Sequence, residues 1–146
     1  MQINIEITVV DANSQDFEKC PAIRRAVFII GQNVPEDLEI DGLDKNSIHY
    51  MISINHTPVG TARVRYLDKK AKIERVAVLS EYQGHGIGKK LMQFIIKDIK
   101  KSNSVTQIVL SSQVHAIPFY QRLGFNVCSE EYLDANIPHK DMAMSI

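Results

Sequence analysis

The chain has 146 residues, 45% of them hydrophobic and 23% charged, which fits one globular domain over 1–146 and excludes a disordered chain. Lys+Arg and Asp+Glu are both 17, giving formal net charge +0, so no global basic field exists to hold a nucleic-acid backbone. No apolar run approaches the roughly 18 residues that cross a bilayer and no signal peptide opens the chain, so the expectation is a cytoplasmic protein with neither nucleic acid nor membrane as partner.

Residues 2–10 alternate Ile3, Ile5 and Ile7 with polar neighbours, the period of a half-buried strand. Asp11 and Asn13 follow as turn or cap residues. Residues 17–30 carry Ala22, Ala26, Val27 and Ile30 at helical spacing around Pro21, predicting one helix broken in two. Residues 31–45 are polar and acidic, with Pro35 and Gly42, and read as a long loop that walls a site. Two β-rich runs, 47–55 and 59–67, flank a hairpin turn at His56-Thr57-Pro58; a third, 71–79, follows the turn Asp68-Lys69-Lys70. From Gly86 the period changes, and Ile87, Leu91, Phe94, Ile95 and Ile99 form one apolar stripe on a helix that packs on a sheet. Residues 104–111 read as a buried strand and 115–123 as a short helix stopped by Gly124; 125–128 and 140–146 are final strands around an irregular segment with Pro138. The fold class is α/β (α+β), a mixed, mostly antiparallel sheet flanked by helices. Cys20 and Cys128 stand far apart without a close Cys or His, so two reduced thiols and no metal site are expected.

The most informative stretch is Gln83-Gly84-His85-Gly86-Ile87-Gly88-Lys89, a glycine-rich turn between strand and helix. Unpaired N–H groups at a helix N-terminus, with the helix dipole, favour phosphate, and glycines let it approach the backbone. A dinucleotide fingerprint needs glycine at Lys89; a Walker loop needs glycine at Gln83 and Ser or Thr at Lys90. Both fail.

Gln83-x-x-Gly86-x-Gly88 after strand 73–79, followed by Ala116-Ile117-Pro118-Phe119-Tyr120 and Leu123-Gly124-Phe125, resembles the GCN5-related N-acetyltransferase (GNAT) superfamily. Two motifs in order are far more specific than either alone. The resemblance implies acetyl-CoA as co-substrate, no metal, and a small-molecule amine acceptor. A splayed parallel strand pair, 71–79 with 104–111, would lie at the centre of the sheet. The backbone of Val76, Ala77 and Val78 would pair with the pantetheine arm and polarise the thioester carbonyl. Gln83, Gly84, His85, Gly86, Ile87, Gly88 and Lys89 would hold the pyrophosphate, and Gly86→Val is expected to lose coenzyme with little change in folding. Gln113 stands where the family usually has Asn, with the same amide chemistry on a longer arm.

Tyr120 is implied as proton donor to the departing thiolate, the alternative being a packed aromatic. Alternation puts Glu74 on the face of Val76 and Val78 as a candidate base, with an ion pair to Arg75 or Arg63 as its other reading. His115 and His139 are further residues that could meet the acceptor and take its proton; a cap or core role is the alternative for each. The turn is also similar to that of glucosamine-6-phosphate N-acetyltransferases, in Tyr82-Gln83-Gly84-x-Gly86-x-Gly88-Lys89. In such an enzyme Arg24 or Arg25 would grip a sugar phosphate; otherwise they are two solvated arginines. A protein or peptide N-acetyltransferase, a non-catalytic acyl-CoA sensor, and a homodimer stay open.

Overall fold

Two-residue alternation builds the first half of the chain into a meander. The computed structural model describes residues 3–146, so Gln2 of the expected first strand lies outside the described residues. Strands β1 (Ile5–Val10), β2 (Ile48–Ile54), β3 (Thr57–Leu67) and β4 (Lys70–Val78) pair antiparallel in sequence order. The turn between β2 and β3 is not His56-Thr57-Pro58. Asn55 and His56 take it with φ of 48° and 68°, the left-handed pair that matches strand twist, while Thr57 and Pro58 already pair with Ile54 and Ser53.

The sheet continues with β5 (Gln107–Gln113), β8 (Ile137–Ser145) and β6 (Asn126–Val127), in the order β1-β2-β3-β4-β5-β8-β6. A short β7 (Tyr132–Asp134) pairs with β8, so the segment around Pro138 is a hairpin and not irregular. Its turn residues, Ala135 and Asn136, have φ of 51° and 62°. Among the described strands only β4 and β5 run parallel, at the centre of the sheet as expected.

Helices cover the two faces. Helix α1 (Lys19–Arg24) is entered through a 3-10 turn, Gln15–Glu18, and left through a π-helical turn, Arg25–Ile30. Pro21 does not break it, because it sits in the first turn of α1, where its missing N–H has no partner to lose. The irregularity falls at the π turn instead. Residues 31–45 are less irregular than their composition suggests, since α2 (Glu36–Glu39) forms after Pro35. Cys20 of α1 packs with Val10, Met51 and Phe17 on one face. On the other, α3 (Ile87–Ile99) lays Leu91, Met92, Ile95 and Ile99 against Tyr50, Ile52 and Ile73. Phe94 is left 37% exposed on the flank of that stripe, edge-on to Tyr50 at 6.1 Å. Helix α4 (Ile117–Arg122) ends where Gly124 takes φ of 108°, and the Phe125 N–H returns to the Tyr120 carbonyl at 3.1 Å.

Candidate active site

The site begins where β4 and β5 part. Their ladder runs from Lys70 opposite Gln107 to Ile73 opposite Leu110 and stops, although β4 continues to Val78 and β5 to Gln113. A bulge sits at the parting point. Arg75 and Val76 together oppose the single residue Ala62 of β3, and Arg75 takes φ of 54°. An extra residue bends a strand and raises its twist, here turning the end of β4 away from β5. The gap is a cavity of about 730 Å³.

One wall is main chain. The N–H and C=O of one strand residue point to the same side. The Val78 carbonyl accepts from the Gln83 side-chain amide at 2.9 Å and not from β3, so the Val78 N–H also opens toward the gap. Side chains of Val76 and Val78 line the cavity; Ala77 is buried and does not. At the foot of this wall Gln83, Gly84, Gly86, Ile87, Gly88 and Lys89 also line it, whereas exposed His85 does not. Gly84 and Gly86 have φ of 80° and 78°, and a Cβ on either would meet nothing within 4 Å. Main-chain amides at the start of the 13-residue α3 are thus bare to the cavity, the condition a pyrophosphate requires. Gly86 is also the N-cap of α3, so its left-handed backbone adds a folding cost that the sequence did not suggest. Gly86→Val is expected to weaken acetyl-CoA binding roughly tenfold or more by calorimetry and to lower stability by about 1–2 kcal/mol in thermal melts.

Tyr120 stands inside the gap on α4, its ring edge-on to Phe119 at 5.0 Å and Phe125 at 6.1 Å. Burial pushes its phenol up to about 12. Among the described residues its hydroxyl has no hydrogen-bond partner, so a protonated O–H is free to meet a ligand.

Glu74 lines the cavity but is spent. Its Oε1 accepts from Arg63 Nη2 at 2.9 Å and Arg65 Nε at 2.5 Å, and its Oε2 accepts from Arg65 Nη2 at 3.1 Å. Burial pushes the carboxyl up, but the Arg65 hydrogen bonds and the Arg63 charge outweigh it and hold the group below the ordinary carboxylate range. A carboxylate held ionised by two guanidinium groups is a poor base, which corrects the catalytic expectation for Glu74 and favours its ion-pair reading. The partners are Arg63, directly opposite on β3, and Arg65, two residues along it, and not Arg75; the bulge that follows Glu74 breaks the alternation on which the same-face argument depended.

The two arginines of the first helix are corrected as well. Arg24 is 2% exposed, with Nε on Glu39 Oε1 at 2.6 Å and Nη1 on Asp44 Oδ1 at 3.0 Å. Arg25 is exposed and pairs with Glu36 at 2.8 Å. Neither lines the cavity.

Gln113, His115 and His139 do line it. The Gln113 Nε2 donates to Gln32 Oε1 at 2.8 Å, tying the end of β5 to the segment after the π turn. The Gln113 Oε1 lies 2.6 Å from His115 Nε2, and since an amide oxygen only accepts, that nitrogen carries the proton. At His139 it is Nδ1 that carries a proton, donated to the Ile137 carbonyl at 2.7 Å, and Nε2 is not engaged in that bond. Its ring stacks on Tyr132 at 6.0 Å, from the hairpin that the sequence reading missed. That hairpin adds Asp134, Ala135 and Ile137 to the lining; Asn136, a residue type that tolerates left-handed φ, was the available signal between two apolar pairs.

A mixed sheet split at one parallel pair, with bare amides at the foot of the split, makes a cleft that fits a ligand carrying a diphosphate. The Acetyltransferase (GNAT) domain family matches residues 12–146. The uncharacterized N-acetyltransferase YjcF of Bacillus subtilis (strain 168) is 36% identical over 135 residues, 92% of this chain and 96% of that one. The crystal structure of Escherichia coli ElaA superposes with TM-score 0.87 at 28% identity, covering 97% of this chain and 99% of the other. An acyl-CoA N-acyltransferase from Pseudomonas aeruginosa superposes with TM-score 0.85, also at 28% identity, over 97% and 99% of the two chains. The chain belongs to the GNAT acetyltransferases, a family of enzymes that use acetyl-CoA. Among the described residues no helix is long and apolar enough to cross a membrane, and no group of three or more His, Cys, Asp or Glu is placed to hold a metal.

Proposed function

We propose that the protein moves the acetyl group of acetyl-CoA directly to a primary amine of a small molecule, acting as one domain in the cytoplasm. What carries this reading is the parting of β4 from β5 beyond Ile73 and Leu110, with the unpartnered Tyr120 hydroxyl inside the gap. Acetyl-CoA supplies an activated thioester. The amides of Gly84 to Gly88 hold its pyrophosphate, with Lys89 as a charge partner. The Val76 and Val78 backbone pairs with the pantetheine arm and polarises the acyl carbonyl. His139 Nε2 takes the proton of the acceptor amine, directly or through water. Tyr120 gives its proton to the sulfur as the carbon–sulfur bond breaks and the new carbon–nitrogen bond forms, then recovers one from solvent. Gln113 positions the acceptor side through Gln32 and His115.

The amino sugar phosphate suggested by the sequence loses its main support, because Arg24 and Arg25 do not reach the cavity. A small-molecule acceptor is preferred over a peptide because residues of α2, Gln32 and the β7–β8 hairpin all line the one concave cavity and give it walls beyond the sheet. The test is a panel of amines with acetyl-CoA, followed by release of free thiol. Thiol release that depends on an added amine supports the reading. Tight acetyl-CoA binding with no amine acetylated would favour the acyl-CoA sensor.

A further inference from the structure

The charges lining the cavity are sorted by end, and the sorting bears on the acceptor. Four cations line it, Lys72, Arg75, Lys89 and Arg122. Two are engaged at the acceptor side: Lys72 lies 3.7 Å from Glu74, and Arg75 Nη2 donates to the Leu38 and Glu39 carbonyls at 3.2 and 3.3 Å and to Asp41 Oδ2 at 3.2 Å. The other two, Lys89 and Arg122, have no ion-pair partner among the described residues. Both also line a groove between α3 and α4 that holds Lys97 and Lys100, which puts the free positive charge at the phosphate end.

The carboxylates sort the opposite way. Glu39 is bound by Arg24 and Glu74 by Arg63 and Arg65, so Asp134 on the β7–β8 hairpin is the lining carboxylate without an ion pair among the described residues. Around that end Gln32, Gln113, His115 and His139 supply the neutral polar lining, and Val27, Phe28, Val34 and Leu38 from the helix and loop, with Ile137 from the hairpin, supply an apolar one. A phosphate or carboxylate brought there would lose water, find Lys72 and Arg75 already engaged by Glu74, Asp41 and the Leu38 and Glu39 carbonyls, and meet Asp134. An apolar body would bury its surface, and an ammonium would meet a free carboxylate.

We infer that the acceptor is a cationic primary amine carried on an apolar alkyl or aryl body, without phosphate or carboxylate, and that Phe28 and Asp134 select it. This rests on the transferase reading above and narrows its substrate class. The experiment compares kcat/KM for 2-phenylethylamine and hexylamine with that for glucosamine 6-phosphate and glutamate, alongside acetyl-CoA affinity by calorimetry. The apolar amines should lead by at least about 100-fold. Phe28→Ala should raise their KM roughly tenfold or more with acetyl-CoA affinity unchanged. Asp134→Asn, at an exposed position that does not threaten folding, should raise KM in low salt and less so in high salt. Faster turnover of glucosamine 6-phosphate or glutamate would overturn the inference while leaving the transferase reading intact, as would an unchanged KM in both variants. Acetyl-CoA binding with no amine of either kind acetylated would bring both down.

Discussion

Tyr120→Phe is expected to lower kcat by about 10²–10⁴-fold, the range for loss of a positioned general acid, while the acetyl-CoA dissociation constant stays within about twofold. The expectation follows from what the side chain does and does not touch. Its ring is fixed by Phe119 and Phe125, so phenylalanine keeps the packing, and among the described residues the hydroxyl has no partner whose loss would disturb the fold. Because burial raises the phenol to about 12, it stays protonated across the working pH range and would have an O–H to offer a departing thiolate throughout. The measurement pairs steady-state kinetics with calorimetry. Turnover near the wild-type rate would reduce Tyr120 to a packed aromatic. Lost binding, by contrast, would mean that the hydroxyl holds the coenzyme and not the leaving group.

The parts of the site legible in the sequence were those encoded locally. Bare amides before a helix need glycines at fixed offsets, so Gly84, Gly86 and the apolar stripe of α3 stand out from the letters alone. The parallel pair was expected from the family resemblance and not from the letters of the two strands, and β4 and β5 do run parallel. What misled was any argument that extrapolated a period through an irregularity. Glu74 reads as a neighbour of Val76 by alternation, and one extra residue at Arg75 separates their roles; bulges carry no strong letter when the left-handed residue is not glycine. Arg24 and Arg25 look alike in sequence, but one is buried on Glu39 and Asp44 and the other is in solvent, a difference set by where α2 and its following turn return to the sheet. The β7–β8 hairpin was missed because three-residue strands are too short for a periodic signal, and Pro138 drew attention to a break that its edge position tolerates.

Arg63→Met is expected to destabilise the protein by about 3–5 kcal/mol, the usual cost of removing one partner from a buried ion pair, and so to lower the melting temperature by roughly 10 °C or more. Arg63 is fully buried. Its Nη1 and Nη2 donate to Asp41 Oδ1 and Oδ2 at 2.9 and 2.8 Å, and it also reaches Asp44 Oδ1 at 3.0 Å and Glu74 Oε1 at 2.9 Å. Methionine fills similar volume yet leaves those carboxylates short of a cation. Arg63→Lys keeps one charge without the fork and should fall between the two. The pH dependence separates lost charge pairing from lost packing. Asp41, Asp44 and Glu74 are each desolvated by burial, yet the guanidinium bonds hold their carboxyls below the ordinary range. A depressed carboxyl contributes stability that is fully present above its unfolded value, about 4, and is lost as pH falls toward the lower folded value. The gap between wild type and Arg63→Met should therefore be widest near neutral pH and shrink below about pH 4. A gap independent of pH would assign the loss to packing. Since Asp41 and Asp44 follow α2, whose Leu38 and Glu39 line the cavity, the same variant should also raise the acceptor KM more than it changes acetyl-CoA affinity.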